Sequence, residues 1–571
     1  KRKERAMLND LKITSSDELK RNYVLAQKIL WVSEGVSDGE LLLTSSRRQP
    51  TIGECQKTVF STKEGRRAAI LLDFGCELAG GVYLVVKRGG NRKGLKVKLR
   101  FGESATEAMT PIDVKGACND DSIRDMDVIL PWNSAGLYGQ TGFRFLYIEL
   151  MESECYMELI SALGVLMIRD IPYLGSFDCS DGLLKKIYDV CSYTLHLNMQ
   201  ELLWDGIKRD RLVWIGDMHP EILALRAVFG DQAIVDDSLR EVAAQFPAPA
   251  WPNHITCYGM WYLIVLWDWY LYTERQGLLR ELGPYWQILL RRLLKLVHED
   301  GSLKEEEFER GFFIDWPTKG LPSASFGASA LLSLALLAGE NLCMSYGFNN
   351  EDMLQIAREC REKRRLLGSR TVPASDKKQI IALSVLSGHT SPKEGAEILV
   401  EGCGRGMSTF MSFYILKATV KSAGMIDALR MLRQYYGKML ELGATTFWED
   451  FDIDWAKDGA GIDRLFCEGG YDIHGDNGRF CYQGFRHSLC HGWSAGPAAF
   501  LVEETAGIRI LKPGCRKLAV KPELGNLDWL KAVYPTPYGP VCVEAERKNG
   551  CGMAVKVDAP REIEIENNYV K

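Results

Sequence analysis

Ser180-Asp181-Gly182-Leu183-Leu184-Lys185-Lys186-Ile187-Tyr188-Asp189-Val190-Cys191-Ser192-Tyr193-Thr194-Leu195-His196-Leu197 marks the point at which this 571-residue chain changes its hydrophobic period. Leu183, Ile187, Val190, Tyr193 and Leu197 recur at steps of three and four, which lines them along one face of a helix. Further stripes of the same period run through 218–245, 257–274, 280–299, 323–340, 349–363, 375–388, 406–420, 422–441 and 487–505. Helices in series with no interleaved strands exclude a parallel α/β sheet. An array of helical hairpins closing into an (α/α)6 barrel is the expected architecture, with its loops converging on one open end.

Outward from that stretch the text is β-like on both sides. Ala68–Phe74, Gly81–Val86, Leu95–Phe101 and Phe145–Leu150 alternate or are short and apolar, and turns such as Gly89-Gly90-Asn91 separate them. After Gly507, short strands return at Lys517–Val520, Gly539–Ala545 and Glu562–Ile565. The expected plan is multidomain and mainly α. Residues 1–175 form a jelly-roll-like β-sandwich with a short leading segment, 176–506 the barrel, and 507–571 a C-terminal β-sandwich.

Hydrophobic residues make up 46% and charged residues 25%, an ordinary globular balance with ample core. The net charge of −5, without a basic block, argues against nucleic acid or an anionic membrane surface as partner. The basic start Lys1-Arg2-Lys3-Glu4-Arg5 leads into no apolar run, and no stretch approaches the roughly 18 apolar residues of a membrane span. The sequence does not begin with Met, so a removed upstream piece, a signal peptide included, stays open. Sixteen Cys are scattered with no Cys-x-x-Cys and no Cys/His spacing suited to zinc, so no metal is expected. That pattern reads as reduced thiols and a cytoplasmic location.

The chemistry concentrates in Asp205-Gly206-Ile207-Lys208-Arg209-Asp210-Arg211-Leu212-Val213-Trp214-Ile215-Gly216-Asp217. A solvated helix face would space its charges at i, i+4 and would not embed a Trp. Two readings remain. One is a polar pocket floor in which acids and arginines hold one another while the Trp offers an apolar plate to a sugar ring. The other is a salt-bridge knot closing a loop.

The stretch resembles the signature of the bacterial α-L-rhamnosidases, glycoside hydrolase family 78. Asp205, Arg209, Asp210, Arg211, Trp214, Gly216 and Asp217 match it in register. Thr446-Phe447-Trp448-Glu449 is similar to a later Thr-x-Trp-Glu motif, Ser488-Leu489-Cys490-His491-Gly492-Trp493 to a following Ser-x-x-His block, and Asp315-Trp316 to a Gly-Asp-Trp turn. Asp73-Phe74-Gly75 and Arg100-Phe101-Gly102-Glu103-Ser104 resemble the family's accessory β domain, where their acids are expected to serve turns and packing.

The resemblance implies an inverting exo-glycosidase that releases terminal α-L-rhamnose from plant glycosides or oligosaccharides without a cofactor. Asp210 matches the general acid and Glu449 the general base. Asp205, Arg209, Trp214, Asp217, Asp315, Trp316, Trp448 and His491 match substrate-binding positions. Asp205 and Asp217 are expected to raise the pKa of Asp210, and Arg209 or Arg211 to pair with one of them. Two departures stand out. The acid is more often Glu in the family, and Trp251-Pro252-Asn253-His254-Ile255-Thr256-Cys257-Tyr258 lacks the Asp common at that place. His474 and the acids of 450–458 are assigned to loops around the mouth. The partner is a carbohydrate, and a homodimer is the assembly allowed. Alternatives are a related barrel glycosidase for another terminal sugar, such as a uronic acid, and an inactive sugar-binding relative.

Overall fold

The computed structural model describes residues 18–347, 350–368, 375–465, 470–480, 483–548 and 552–566. The basic start Lys1–Arg5 and the last five residues of the expected C-terminal unit lie outside them.

The N-terminal region is a nine-stranded antiparallel sheet built on three long strands, Ala69–Gly89, Ser134–Leu150 and Tyr156–Arg169. Ile70 pairs with Ile148 and Leu72 with Leu146, and all four are fully buried. The sequence suggests two separate strands over 68–86, whereas the chain makes one. Its pairing shifts register between Asp73 and Leu78 and again between Gly80 and Val82. Gly75 and Gly80 have positive φ there, so bulges bend a continuous strand at the place where the alternation breaks. From the end of strand Leu95–Gly102 a short helix, Ala105–Met109, drops toward the helical region, capped by the Ser104 hydroxyl on the Glu107 amide.

Six helical segments contact one another in cyclic order: Met218–Val228, Thr256–Thr273, Ala324–Tyr346, Lys378–Ser387, Ser412–Ala423 and Gly496–Phe500, the last packing on the first. The segment at 496 continues as a π-helical turn through Leu501–Thr505. Outside these lie Gly182–Asn198, Ala233–Gln245, Gly283–Lys295, Glu351–Gly368, Pro392–Val400 and Met425–Glu441. The two sets differ in composition as their positions require. Thr256–Thr273 is apolar on nearly every side and buried accordingly, whereas Gly283–Lys295 exposes Ile288 and buries one stripe. Ala324–Tyr346 is long and apolar enough by composition to cross a membrane, but 78% of its apolar window is buried against neighbouring elements. In Gly182–Asn198 the stripe is wider than its spacing suggests. Leu183 is exposed, while Leu184, Cys191 and Leu195 join Ile187 and Leu197 inside, because the helix packs on Met218–Val228, Gly496–Phe500 and Met425–Glu441.

The C-terminal region forms two small sheets. Ile508–Lys512 and Lys517–Val520 join Glu564–Glu566 in one; Trp529–Tyr534, Val541–Lys548 and Gly552–Asp558 form the other. Ser176–Cys179, grouped with the helices on sequence, is hydrogen-bonded into the second sheet with Phe177 opposite Ala532. Four residues are too few for a period to show, yet Phe177 and Cys179 turn inward as a strand demands. The helices and the C-terminal sheets share one apolar core, and the N-terminal sheet has its own.

The seam of the ring, between Met218–Val228 and the 501–505 turn, holds a buried ion pair. Arg226 Nε lies 2.7 Å from Glu503 Oε1. Removing one charge leaves the other buried without its partner. Glu503→Gln is therefore expected to destabilise the helical unit by about 3–5 kcal/mol, and the paired replacement Arg226→Met with Glu503→Leu by clearly less. Urea melts followed by tryptophan fluorescence check this; equal losses for both variants contradict it.

Candidate active site

Segments that precede the first, second, third and sixth ring helices meet around an open cleft of about 630 Å³. Asp205, Asp210, Trp214 and Asp217 line it from the first of these, Phe313 and Trp316 from the third, and Glu449, His491 and Trp493 from the last two motifs. Ile255 and Tyr258 enter from the start of the second ring helix, and Arg310 and Lys319 stand on its rim.

The loop 205–217 is closed by Asp205. Its amide donates to the Leu212 carbonyl and its Oδ1 accepts the Leu212 amide, both at 3.0 Å. Between these ties Asp210 and Arg211 both adopt left-handed backbone, φ 55° and 56°. For residues with a Cβ this costs on the order of 1–3 kcal/mol each, and such strain persists where surrounding contacts overdetermine it. The Arg211 guanidinium, bound to the Gln140 carbonyl and stacked 5.2 Å from the Trp204 ring, is one such contact.

The consecutive residues Lys208, Arg209 and Asp210 serve three different places. Asp210 turns into the cleft. Arg209 lies behind it and bridges two carboxylates, with NH1 2.5 Å from Asp210 Oδ1 and NH2 2.7 Å from Glu449 Oε1. It pairs with neither Asp205 nor Asp217, contrary to the expectation from sequence, because its Nε is fixed on the Arg486 carbonyl and aims the fork at Glu449. Lys208 points the other way, into a buried seam, where Nζ meets Glu103 at 2.9 Å, Glu107 at 3.3 Å and the carbonyls of Phe485 and His487.

Glu449 is held from several sides. Oε2 accepts the Ser488 amide at 3.1 Å, and the Glu449 carbonyl accepts the Trp493 indole at 3.0 Å. Glu103, from the N-terminal sheet, accepts the Leu489 amide at 2.7 Å and the Ser488 hydroxyl at 3.3 Å. The acid of the Gly102-Glu103-Ser104 motif thus supports the segment that carries the Ser488–Glu449 bond, a long-range role that no local pattern signals.

Burial raises the pKa of Asp210, with Glu449 and Asp121 adding to the shift and Arg209 opposing it. The negative field on Asp210 comes from Glu449 more than from the expected Asp205 and Asp217. Those two are themselves raised well above the ordinary value, chiefly by burial. His491 Nε2 stands 3.7 Å from Asp205, 4.0 Å from Asp217 and 4.0 Å from Glu449, and burial beside Arg209 holds the ring far below the usual imidazole range, hence neutral. Tyr258 donates to Asp217 Oδ1 at 3.2 Å and packs edge-on against Trp214, another residue of the cleft lining.

Other expected residues lie elsewhere. Trp448 is 1% exposed and packs edge-on against Phe451 beneath Glu449, outside the cleft. Asp315 caps the turn Trp316–Thr318, accepts the Ser408 hydroxyl and borders a side pocket with Glu449 and Asp450. Burial pushes it up to about 7. His474 is not at the mouth. It is buried in the seam, bound to the Ser104 hydroxyl at 2.8 Å and the His487 carbonyl at 2.9 Å. Among the acids of 450–458, Asp450 is half-buried and lines the side pocket, and Asp454 is ion-paired with Arg405. Trp251 is core packing, and His254 packs edge-on against Phe246; from that segment Ile255 and Tyr258 reach the cleft. Glu103, Glu107 and His474 are close enough together to hold a metal ion, but Lys208 inserts its ammonium between the two glutamates.

Comparison with known proteins follows the same blocks. Residues 172–338 match the bacterial alpha-L-rhamnosidase six-hairpin glycosidase domain, and residues 507–566 the bacterial alpha-L-rhamnosidase C-terminal domain. A curated alpha-L-rhamnosidase of Formosa agariphila is 33% identical over 78 residues, 14% of this chain and 8% of that protein. Among solved structures, a family 78 rhamnosidase of Bacillus sp. GL1 superposes with a TM-score of 0.73 at 20% identity, covering 92% of this chain and 55% of its own. A rhamnosidase from Klebsiella oxytoca with rhamnose bound does so with a TM-score of 0.65 at 18% identity, covering 86% and 96%. The chain spans about half the length of the Bacillus protein, and at these identities the likeness is one of fold. Residues 172–338 and 507–566 are thus similar to the six-hairpin and C-terminal domains of the bacterial α-L-rhamnosidases.

Proposed function

We propose that this chain is an inverting, exo-acting α-L-rhamnosidase whose ring of helices is an (α/α)6 barrel flanked by β-sandwich units. The observation that carries the reading is the pair Asp210 and Glu449 on opposite nitrogens of one buried guanidinium, at the floor of a cleft with aromatic walls. A binding protein has no use for opposed carboxylates. A glycosidase needs one carboxyl to protonate the leaving oxygen and another to activate water across the ring.

In this mechanism Asp210 holds its proton through burial and the field of Glu449, and gives it to the glycosidic oxygen. Glu449, fixed by Arg209 and the Ser488 amide, takes a proton from the water that attacks the anomeric carbon. Arg209 keeps the two carboxylates from meeting and stays charged throughout. Asp205, Asp217 and neutral His491 address sugar hydroxyls, and Trp214 with Tyr258 offers an apolar wall to the methyl group of a 6-deoxy sugar. Two carboxylates and a water complete the hydrolysis. Thirteen free thiols among the described cysteines support a reducing, cytoplasmic setting.

Asp210→Asn keeps the shape and loses the proton. Hydrolysis of an unactivated rhamnoside is expected to fall by about 10²–10⁴-fold, and that of an aryl rhamnoside with a good leaving group by much less. In the wild type the acid must be protonated, so kcat/KM falls as pH rises through the raised Asp210 pKa. That limb is expected to vanish in Asp210→Asn. A pH–rate profile that keeps its alkaline limb, or full activity on the unactivated substrate, moves the acid to another residue.

Inversion makes β-L-rhamnose the first product of an α-linked substrate, which early-turnover proton NMR distinguishes from the α anomer. Glu449→Gln is expected to lower kcat by orders of magnitude with KM near wild type, since a base acts in the transition state. Azide, which needs no deprotonation, then restores turnover as a β-glycosyl azide. Initial release of the α anomer rejects inversion and makes Glu449 a nucleophile.

A further inference from the structure

The cleft changes character with depth. Its floor, formed by Asp205, Asp217, Glu449 and His491, is 2–4% exposed and lined by acids. The side chain of Asp210 is 17% exposed and stands between floor and mouth. The cations among the lining residues are Arg310 and Lys319, both exposed and both on the segment before the third ring helix. Neither makes an ion pair among the described residues. Glu307 and Glu309, the nearest acids in sequence, act on Arg292 instead. Lys319 Nζ sits 4.8 Å over the Trp316 ring, whose indole also lines the cleft. Arg310 is held in left-handed backbone, φ 60°, at the turn closed by the Gly311 amide on the Phe308 carbonyl.

An exo-acting enzyme seats the terminal sugar on the floor, so the leaving unit passes Asp210 and rests at the mouth. An anionic terminal sugar would find Arg209, the cation behind the floor, already bound to Asp210 and Glu449. An anionic leaving unit would instead meet two cations that make no ion pair among the described residues, one of them over the Trp316 ring. We infer that the leaving-group side of this cleft takes an acidic sugar, a uronate whose carboxylate is bound by Arg310 and Lys319 while its ring lies against Trp316. The inference rests on the rhamnosidase reading above. Guanidinium and carboxylate match as a two-pronged pair, and the ammonium adds a point charge.

The test compares two disaccharides that differ by one group, α-L-rhamnosyl-(1→4)-D-glucuronate and α-L-rhamnosyl-(1→4)-D-glucose, with p-nitrophenyl α-L-rhamnoside as a reference. The wild type is expected to favour the glucuronate in kcat/KM by about tenfold at low salt, the size of one or two charge-assisted contacts. The preference is expected to shrink at 0.5 M salt, because both cations are exposed. In Arg310→Gln with Lys319→Gln the ratio is expected to approach one, and in Arg310→Glu with Lys319→Glu to fall below one. Both residues are exposed, so the variants are expected to melt as the wild type does. A wild-type ratio near one, or a preference that survives both variants, overturns the inference while cleavage of the reference leaves the rhamnosidase reading intact. If none of the three rhamnosides is cleaved, that reading fails and this inference with it.

Discussion

One guanidinium organises the working end of this molecule. Arg209 is 3% exposed, pairs through one nitrogen with Asp210 and through another with Glu449, and is fixed by its third nitrogen on the Arg486 carbonyl. Three segments distant in sequence, 205–217, 446–449 and 486–493, therefore meet at a single charged plane. Without it two carboxylates would share a dry cleft, where like charges raise each other's pKa and drive the segments apart. Its fork geometry matters as much as its charge: a lysine offers one point charge and cannot span two carboxylates at fixed angles.

That plane rests on the N-terminal sheet. Glu103 binds the Lys208 ammonium and the amide and hydroxyl that position Ser488, which in turn donates to Glu449. Burial against the opposing pull of Lys208 leaves Glu103 at about 7. Glu107 and the Ser104–His474 bond extend the seam, so a β unit outside the ring holds the base from below. Lys208, Arg209 and Asp210 make this economical, since three successive charges reach seam, bridge and cleft just before the left-handed turn at Asp210 and Arg211 closes the loop.

Much of this plan was legible before the fold. Helical stripes announced themselves because 3.6-residue periodicity survives over ten or more residues, and the Asp205–Asp217 stretch was conspicuous because no helix face or core tolerates its mixture. Of its two readings, pocket floor and ion-pair knot, the geometry contains both, for Arg209 and Lys208 knot what Asp210 and Asp217 line. What sequence could not supply was direction. Trp448 and Glu449 are adjacent, yet one points into the core and the other into the cleft. Asp315 and Trp316 are adjacent too, yet the acid borders only the side pocket while the indole also lines the cleft. Nothing local marks Glu103, Ser488, Phe313 and Trp493 as site residues, because their roles exist only across contacts hundreds of residues long or at the end of a turn. Ser176–Cys179 falls with the helices on sequence because a four-residue strand has no period to read.

Two glycines of the recognised motifs acquire a reason from close approach. A Cβ on Gly216 would lie 2.6 Å from the Tyr258 ring, the ring that donates to Asp217 and packs against Trp214. A Cβ on Gly492 would lie 1.9 Å from Oε1 of Glu221, a buried acid raised far above its ordinary range by burial first and by Asp205 next. The neighbours of these glycines, Asp217 and His491, face the cleft. Their own lack of side chains lets a tyrosine and a second buried carboxyl stand directly behind those groups. The layer behind the floor is thus dense and weakly hydrated, and it is this layer that keeps Asp205 and Asp217 inclined to hold protons and His491 neutral. Groups in those states both donate and accept hydrogen bonds without carrying net charge, which is what the hydroxyls of a neutral sugar require.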